Sequence, residues 1–330
     1  MNRWTLGASL TVVLAVGIIA GIRFGSVPIS NADLFAVLIG EGNPIDRNIV
    51  LELRLPRVLL GILVGGGLAI AGATFQALLR NPLAEPYILG ISGGASVGAV
   101  LVLALGWTVA GSWVLPIAAF AGALVAITLV FRVATATGRA MDVRVLLLAG
   151  VVVAAFFSAC IALIFSISSA QTVQSAVLWI MGSLAAASWQ SVILTATYTL
   201  PATVLLMRLA RPLNLMAIGD ETAHYLGADV EGVKKASLGI AALITASGVA
   251  VAGVIGFVGL VVPHAIRLLV GSDHRALLPL SFIAGAALLT LADIAARLVL
   301  SPTEIPIGVI TAFVGVPLFL ALLRRNLTTP

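Results

Sequence analysis

Long apolar runs without a charged side chain are the feature that most limits how this chain can fold. Positions 145–207 and 236–266 contain no Asp, Glu, Lys or Arg. The sequence of 330 residues is 61% hydrophobic and only 9% charged, whereas soluble domains carry about 25% charged residues. About 20 consecutive apolar residues are enough for a helix to cross the hydrocarbon core of a bilayer. The sequence therefore predicts an all-α, polytopic membrane protein.

The apolar runs divide into ten predicted transmembrane helices, which we assign to a single domain, residues 1–330. They lie near 4–22, 57–79, 92–106, 114–135, 143–168, 189–210, 234–252, 256–270, 276–298 and 306–323. The third and the eighth are short and rich in glycine, which favours burial among other helices over contact with lipid. Their glycines are compatible both with simple helix packing and with the lining of a pathway.

Three stretches outside these spans have a distinct character. Asn31 is expected to cap a short amphipathic helix that lies on the membrane surface. Residues 171–184 are apolar but too short and too interrupted to form another span. Residues 81–86 contain two prolines, which predict a sharp break between the second and third spans.

The basic residues indicate how the chain is oriented. They occur in short clusters between apolar runs, so the excess of basic residues does not point to nucleic acid. Thirteen of the 18 Lys and Arg residues, Arg139 among them, fall on one side if both termini and the 211–235 segment lie there. By the positive-inside rule that side is cytoplasmic. The prediction is a multi-pass protein of a bacterial or archaeal inner (plasma) membrane with both termini in the cytoplasm.

The 211–235 segment is a polar island between two charge-free runs, and it contains seven charged residues together with His224. Asp220 is expected to N-cap a short helix that runs through Leu226, and Gly227 is expected to end it. A short capped helix parallel to the membrane offers a binding surface for another protein. An ordinary surface loop is the alternative interpretation.

The sequence lacks the residues that several classes of function require. There is no P-loop motif, so this chain is not expected to bind ATP in that way. No charged side chain falls in the middle of a predicted span, and Asp293 comes closest, near an outer end. Ion-coupled carriers usually keep carboxylates or histidines there, so a secondary transporter of a small organic solute is only the alternative hypothesis.

A membrane-embedded enzyme is the third hypothesis, and the sequence offers little for it. The three histidines have no acid at metal-ligand spacing, and Cys160 is the only cysteine. We therefore predict no catalytic residue, no metal site and no cofactor in this chain.

The sequence resembles the iron-chelate (siderophore or haem) and vitamin B12 permease family of ABC importers over nearly its whole length. Eight motifs occur in the family's order: RLPR at 54–57, QALLRNPLAEPYILGISGGAS at 76–96, LLLAG at 146–150, WIMGSL at 179–184, GDETAHYLG at 219–227, GFVGLVVPHAIRLLVGSDH at 256–274, ADIAAR at 292–297 and EIPIGVITAFVGVPLF at 304–319. The resemblance implies ten helices per subunit and a homodimer with the pathway along its axis. It also implies two cytoplasmic ATP-binding subunits and a periplasmic or lipoprotein substrate-binding protein.

The resemblance also implies roles for individual residues. Glu221, Ala223 and Gly227 fit the E-x-A-x-x-x-G pattern of the loop that docks on the ATPase, and the small Ala223 is expected to let this helix settle into a groove there. The residues assigned to ATPase coupling are Gly219, Asp220, Glu221, Ala223, His224, Leu226 and Gly227.

Two further sets of residues follow from the resemblance. Arg54, Arg57 and Arg297 match arginines that meet acidic residues of the binding protein; snorkelling to lipid headgroups is the alternative. The residues assigned to the cytoplasmic gate or pathway are Asn81, Leu83, Val143 and Arg144. Relatives of the B12 type carry small hydroxyl residues before LLLAG, where this chain has an Asp-Val-Arg sequence at 142–144.

The predicted function is therefore the permease subunit of an ABC importer for a metal chelate. A bare divalent ion would need carboxylates or imidazoles along its path to replace its water, and the spans offer none at mid-depth. We expect the metal to cross inside an organic ligand. A ferric siderophore, haem and a corrinoid all remain compatible with the sequence.

Overall fold

The computed structural model describes residues 2–25, 27–136 and 141–328, so Arg139 lies outside the described residues. Fifteen α-helices follow one another along them: α1 (Arg3–Arg23), α2 (Asn31–Leu38), α3 (Pro44–Asn48), α4 (Leu55–Leu78), α5 (Ile91–Ala104), α6 (Val114–Thr135), α7 (Val143–Ile167), α8 (Ala170–Ile180), α9 (Trp189–Arg208), α10 (Ala210–Ile218), α11 (Asp220–Tyr225), α12 (Val230–Ala252), α13 (Val258–Val270), α14 (His274–Leu298) and α15 (Ile307–Thr328). A π-helical segment, Ile49–Arg54, joins α3 to α4.

Ten of these helices coincide with the ten predicted spans. Seven are long and apolar enough to cross a membrane, namely α1, α4 with the segment before it, α6, α7, α9, α12 and α14. The other three, α5, α13 and α15, are shorter apolar helices. The prediction of an all-α protein with ten apolar helices is confirmed for the described residues, and the third and eighth spans are short, as predicted.

Helix α4 forms the centre of the bundle. The most apolar part of the helical segment that contains it is 89% buried, whereas the corresponding parts of α1 and α7 are only 17% buried. Helix α4 packs against α14, α12, α13 and α9. Close approach depends on glycine, because a Cβ on Gly65 would meet the carbonyl oxygen of Gly285, and one on Gly72 would overlap that of Gly259. The glycines of α4 therefore serve helix packing.

The short elements outside the spans were predicted with small errors. Helix α2 begins at Asn31, but the N-cap is Ser30, whose hydroxyl accepts the amide of Asp33 at 3.1 Å. The Asn31 side chain instead accepts a hydrogen bond from Arg23. The prediction that Asn31 caps the helix is wrong by one residue, because two adjacent residues both suit the cap. Within 171–184 the helix is α8, which has only 11 residues.

Three chain segments meet where α12 ends: the residues after α8, the residues after α12, and those that lead into the start of α15. The amide of Ser183 donates to the Ala252 carbonyl at 2.8 Å. The amides of Ile307 and Gly308 donate to the carbonyls of Gly182 and Met181 at 3.0 and 3.1 Å. Buried backbone groups outside a helix need hydrogen-bond partners elsewhere in the protein, and these contacts supply them.

Candidate functional site

The polar island folds into two short helices, α10 and α11, before α12 begins. Gly219 separates them with φ +140°, and Gly227 follows α11 with φ +83°. Because positive φ favours glycine, both positions suit the residues that occupy them. The prediction that Gly227 ends the helix is confirmed.

Asp220 does not cap α11, in contrast to the prediction. Gly219 holds the N-cap position and Asp220 is the first helical residue. The Asp220 carboxylate, which is partly exposed, instead binds two cations: Oδ1 accepts from Arg80 and Oδ2 accepts from the Lys234 ammonium at 2.7 Å. The side chain is thus used to join α11 to the end of α4 and to the start of α12.

Ala223 faces the protein interior, so the expectation that it faces a groove on a partner is wrong. It is fully buried against the chain's own core. The exposed side of the island carries Tyr225 at 81%, Ile218 at 68% and Leu226 at 61% exposure, with Glu221 and His224 beside them. Large apolar side chains in a polar, exposed segment mark a surface suited to another protein.

The segment after α4 is a tight turn. The amides of Arg80 and Asn81 donate to the carbonyls of Ala77 and Gln76, at 3.3 and 3.2 Å, which is the hydrogen-bond pattern of a Schellman motif. Arg80 takes the left-handed conformation with φ +46°, where glycine is usual. Asn81 Oδ1 then accepts the amide of Leu83 at 2.9 Å, and this leaves the Leu83 side chain exposed.

The segment before α7 is fixed by the first two turns of α12. The Met141 amide donates to Glu231 Oε1 at 3.0 Å, and its carbonyl accepts from Lys234 Nζ at 3.4 Å. Asp142 N-caps α7 by accepting the amide of Arg144 at 2.7 Å. The first residue of the 142–144 stretch therefore caps a helix. Val143 is half-buried and Arg144 is exposed.

Glu85 is a half-buried carboxylate that the sequence analysis did not single out. Its Oε1 accepts the amide of Phe257 at 2.9 Å, and the Tyr87 hydroxyl accepts the amide of Ile255 at 3.2 Å. Phe257 has φ +68° and stands at the N-cap position of α13. Glu85, in the 81–86 break, and Tyr87 directly after it therefore hold the non-helical residues between α12 and α13 in place.

The predicted docking arginines lie together, but two of them are buried. Arg54 is 5% exposed and donates to the carbonyls of Ile22 and Arg23, both at 2.9 Å, and to that of Val27. These carbonyls lie in or just after the last turn of α1, which has no intrahelical donors for them. A cation is also favourable at a helix C-terminus. Arg54 therefore caps α1, and headgroup snorkelling is the wrong interpretation for it.

Arg297 and Arg57 belong to the same cluster, and both bind carboxylates: Arg297 pairs with Asp293, and Arg57 pairs with Asp293 and Glu304. Arg297 is 6% exposed; it pairs with Asp293 at 3.1 Å and donates to the Phe24 carbonyl at 2.9 Å. The guanidinium of Arg57 contacts both oxygens of Glu304, at 2.9 and 2.8 Å, and also Asp293 at 2.9 Å. The side chain of Arg57 is 12% exposed, so it is the least buried of the three arginines, although both carboxylates occupy its guanidinium.

Asp273 joins three helices at the predicted cytoplasmic end. It accepts from the Asn214 amide at 2.9 Å, from the backbone of Arg275 at 3.1 Å and from Arg3 at 3.1 Å. These donors, Asn214 first, hold the pKa of the Asp273 carboxyl below its usual value. The carboxyl therefore stays ionised and connects the starts of α1 and α14 to α10.

An open apolar cavity of about 590 Å³ lies beside α15. Its lining includes Met181, Val254, Phe257, Gly308 and Phe313, so it adjoins the meeting point of the three chain segments. The described residues contain no group of three or more His, Cys, Asp or Glu placed to hold a metal ion. This wall is suited to an apolar ligand surface, and it offers nothing that would replace the water around a bare ion.

Several of these contacts have no local signal in the sequence. Lys234 is adjacent to Lys235 in the polar island, yet its side chain is only 7% exposed. Arg80 lies 140 positions from its partner Asp220, so no local spacing connects them. The one local clue to the role of Arg80 is its position: it directly follows the second predicted span, where glycine is usual.

Comparison with known proteins identifies the family. The model of the FecCD transport family matches residues 13–325. The chain belongs to the FecCD transport family. Known permeases align with it over most of their length. It is 44% identical over 323 residues to the uncharacterized ABC transporter permease protein YvrB of Bacillus subtilis, which covers 95% of this chain and 91% of that protein.

Two relatives carry the name of a transported compound. The cobalamin import system permease BtuC of Halobacterium salinarum is 45% identical over 276 residues, covering 84% of this chain and 73% of that protein. The hemin transport system permease HmuU of Yersinia pestis is 40% identical over 320 residues, covering 96% and 93%. A solved ABC transporter of the metal-chelate type, in an inward-facing conformation, superposes with a TM-score of 0.87 at 30% identity over 97% of this FecCD chain and 99% of the other.

Proposed function

We propose that this FecCD protein is the permease subunit of an ABC importer that moves an iron chelate, haem or a corrinoid across the inner membrane. The proposal rests on one observation: the chain is 40–45% identical, over most of its length, to permeases named for hemin and cobalamin. An ion-coupled carrier remains the weaker candidate. Asp293, the charged residue that comes closest to the middle of a span, is held in ion pairs with Arg57 and Arg297.

The energy for transport comes from separate ATP-binding subunits on the cytoplasmic side. Helix α11 is their proposed contact, since it presents Tyr225 and Leu226 to solvent and is connected through short links to α10 and α12. Burial of two such side chains contributes about 1.5–3 kcal/mol each. We also propose a homodimer with the substrate pathway along its axis, where the weakly buried apolar faces of single subunits are covered.

A substrate-binding protein delivers the chelate on the opposite side. Of the three arginines assigned to docking, Arg57 is the least buried, and an incoming carboxylate would have to displace Glu304 from its guanidinium, while Arg54 and Arg297 hold the rim on which it stands. Charge pairs at such a rim act mainly on the rate of encounter. Asn81, Leu83, Val143 and Arg144 belong to the two segments that we propose as the cytoplasmic gate.

Stimulation of ATP hydrolysis tests the substrate class. The purified complex, with its ATP-binding subunits and binding protein, is supplied in turn with a ferric siderophore, haemin, cyanocobalamin, free Zn²⁺ and free Mn²⁺. We expect one of the three chelates to stimulate hydrolysis and neither free ion to do so, because the apolar cavity cannot replace ion hydration. Saturable stimulation by a free ion without chelator would contradict the proposal.

A further inference from the structure

We propose that Arg80, Asp220 and Lys234, called here the Asp220 cluster, transmit the movement of α11 to the two segments of the cytoplasmic gate. This rests on the proposed function, in which α11 contacts the ATP-binding subunits. Arg80 and Lys234 are therefore positioning residues for transport, although neither touches the substrate or the ATPase in this account.

A single carboxylate connects three elements. Oδ1 of Asp220 accepts from Arg80 Nη2, and Oδ2 accepts from Lys234 Nζ at 2.7 Å. Arg80 directly precedes Asn81 in the gate segment after α4, and Lys234 lies in the second turn of α12. A displacement of the first residue of α11 must therefore either move both partners or break the pairs.

The second gate segment is held by the same part of α12. Glu231 accepts the Met141 amide at 3.0 Å, and Lys234 donates to the Met141 carbonyl at 3.4 Å. Met141 stands directly before the 142–144 stretch. Lys234 thus belongs to both connections: it binds Asp220 of α11 and the backbone in front of α7.

The backbone of Arg80 is an independent observation in favour of a role for its side chain. Arg80 has φ +46° at the position of a Schellman motif that glycine usually occupies. Glycine would adopt this conformation without steric cost. Residues other than glycine in such conformations concentrate at functional sites. An exposed ion pair contributes little to folding stability, so stability alone does not account for an arginine here.

The variant Arg80→Gly separates coupling from folding, because glycine fits the turn and removes only the side chain. The test measures hydrogen–deuterium exchange of the full complex, with its ATP-binding subunits, before and after addition of ATP and vanadate. In the wild type we expect nucleotide to change exchange at 220–227, at 81–89 and at 141–146.

In Arg80→Gly we expect the response at 81–89 to fall by about fivefold or more, the scale of a typical coupling between sites. The responses at 220–227 and 141–146 should remain, since Glu231 and Lys234 still hold Met141. The melting temperature should be equal to that of the wild type or higher. Arg80→Lys, which keeps the charge, should recover most of the response at 81–89.

Each remaining outcome has a definite meaning. A full response at 81–89 in Arg80→Gly would overturn the inference, and so would a lower melting temperature with loss of all three responses, which would indicate a structural role. If the wild type itself shows no response at 220–227, and Leu226→Asp leaves binding of the ATP-binding subunits intact, the proposed docking through α11 fails and the inference falls with it.

Discussion

Gly72→Ala is expected to prevent α4 from packing against α13 and to abolish accumulation of folded protein in the membrane. A Cβ on Gly72 would overlap the carbonyl oxygen and the Cα of Gly259. Both groups belong to the backbone of buried helices, so no side chain can rotate away. Overpacking of a core typically costs about 1–3 kcal/mol, and backbone overlap in the central helix should exceed that range.

The matched control is Gly239→Ala in α12, where an added Cβ meets nothing within 4 Å. Alanine is favoured over glycine inside a helix by about 1 kcal/mol, so this variant should be as stable as the wild type or more stable. Thermal unfolding in detergent, followed by size-exclusion chromatography, compares the two. If Gly72→Ala melts with the wild type, the close approach of α4 and α13 is wrong.

Arg54→Met is expected to lower the free energy of unfolding by about 1.5–3 kcal/mol, the scale for hydrogen bonds made by a charged group. The carbonyls of Ile22 and Arg23 would lose their 2.9 Å donor and remain desolvated. The end of α1 should then detach from α4, which increased proteolysis near 24–30 would report.

Arg47→Met is the control for Arg54, because Arg47 is exposed on the preceding helix α3. We expect it to leave the unfolding transition unchanged. The pair also tests the docking assignment. If Arg54→Met is as stable as Arg47→Met but slows association with the binding protein, Arg54 acts in docking and its capping of α1 is unimportant.

The spans were predictable because a helix that crosses a bilayer needs a long apolar run, and this requirement is local in sequence. Helix ends were less certain. Ser30 precedes Asn31, and Gly219 precedes Asp220, so in each case two neighbouring residues were suitable caps and the first was used. Such errors of one residue come from competition between equivalent local signals.

The side-chain contacts at the candidate site could not be read from the sequence for a different reason. Arg54 is buried because the last carbonyls of α1 require donors, and only the packing of α1 on α4 decides which residue supplies them. In the same way Asp220 meets Arg80 and Lys234 across separate elements. The inward direction of Ala223 depends on how α11 lies on the core, which its motif does not encode.

Uptake into proteoliposomes tests whether transport by this chain is driven by ATP hydrolysis in partner subunits. The vesicles contain the permease with its ATP-binding subunits, and the chelate-loaded binding protein is added on the opposite side. We predict accumulation that requires ATP on the side of α11 and continues when an ionophore removes proton and sodium gradients. Accumulation by the permease alone, driven by an ion gradient without ATP, would contradict the account.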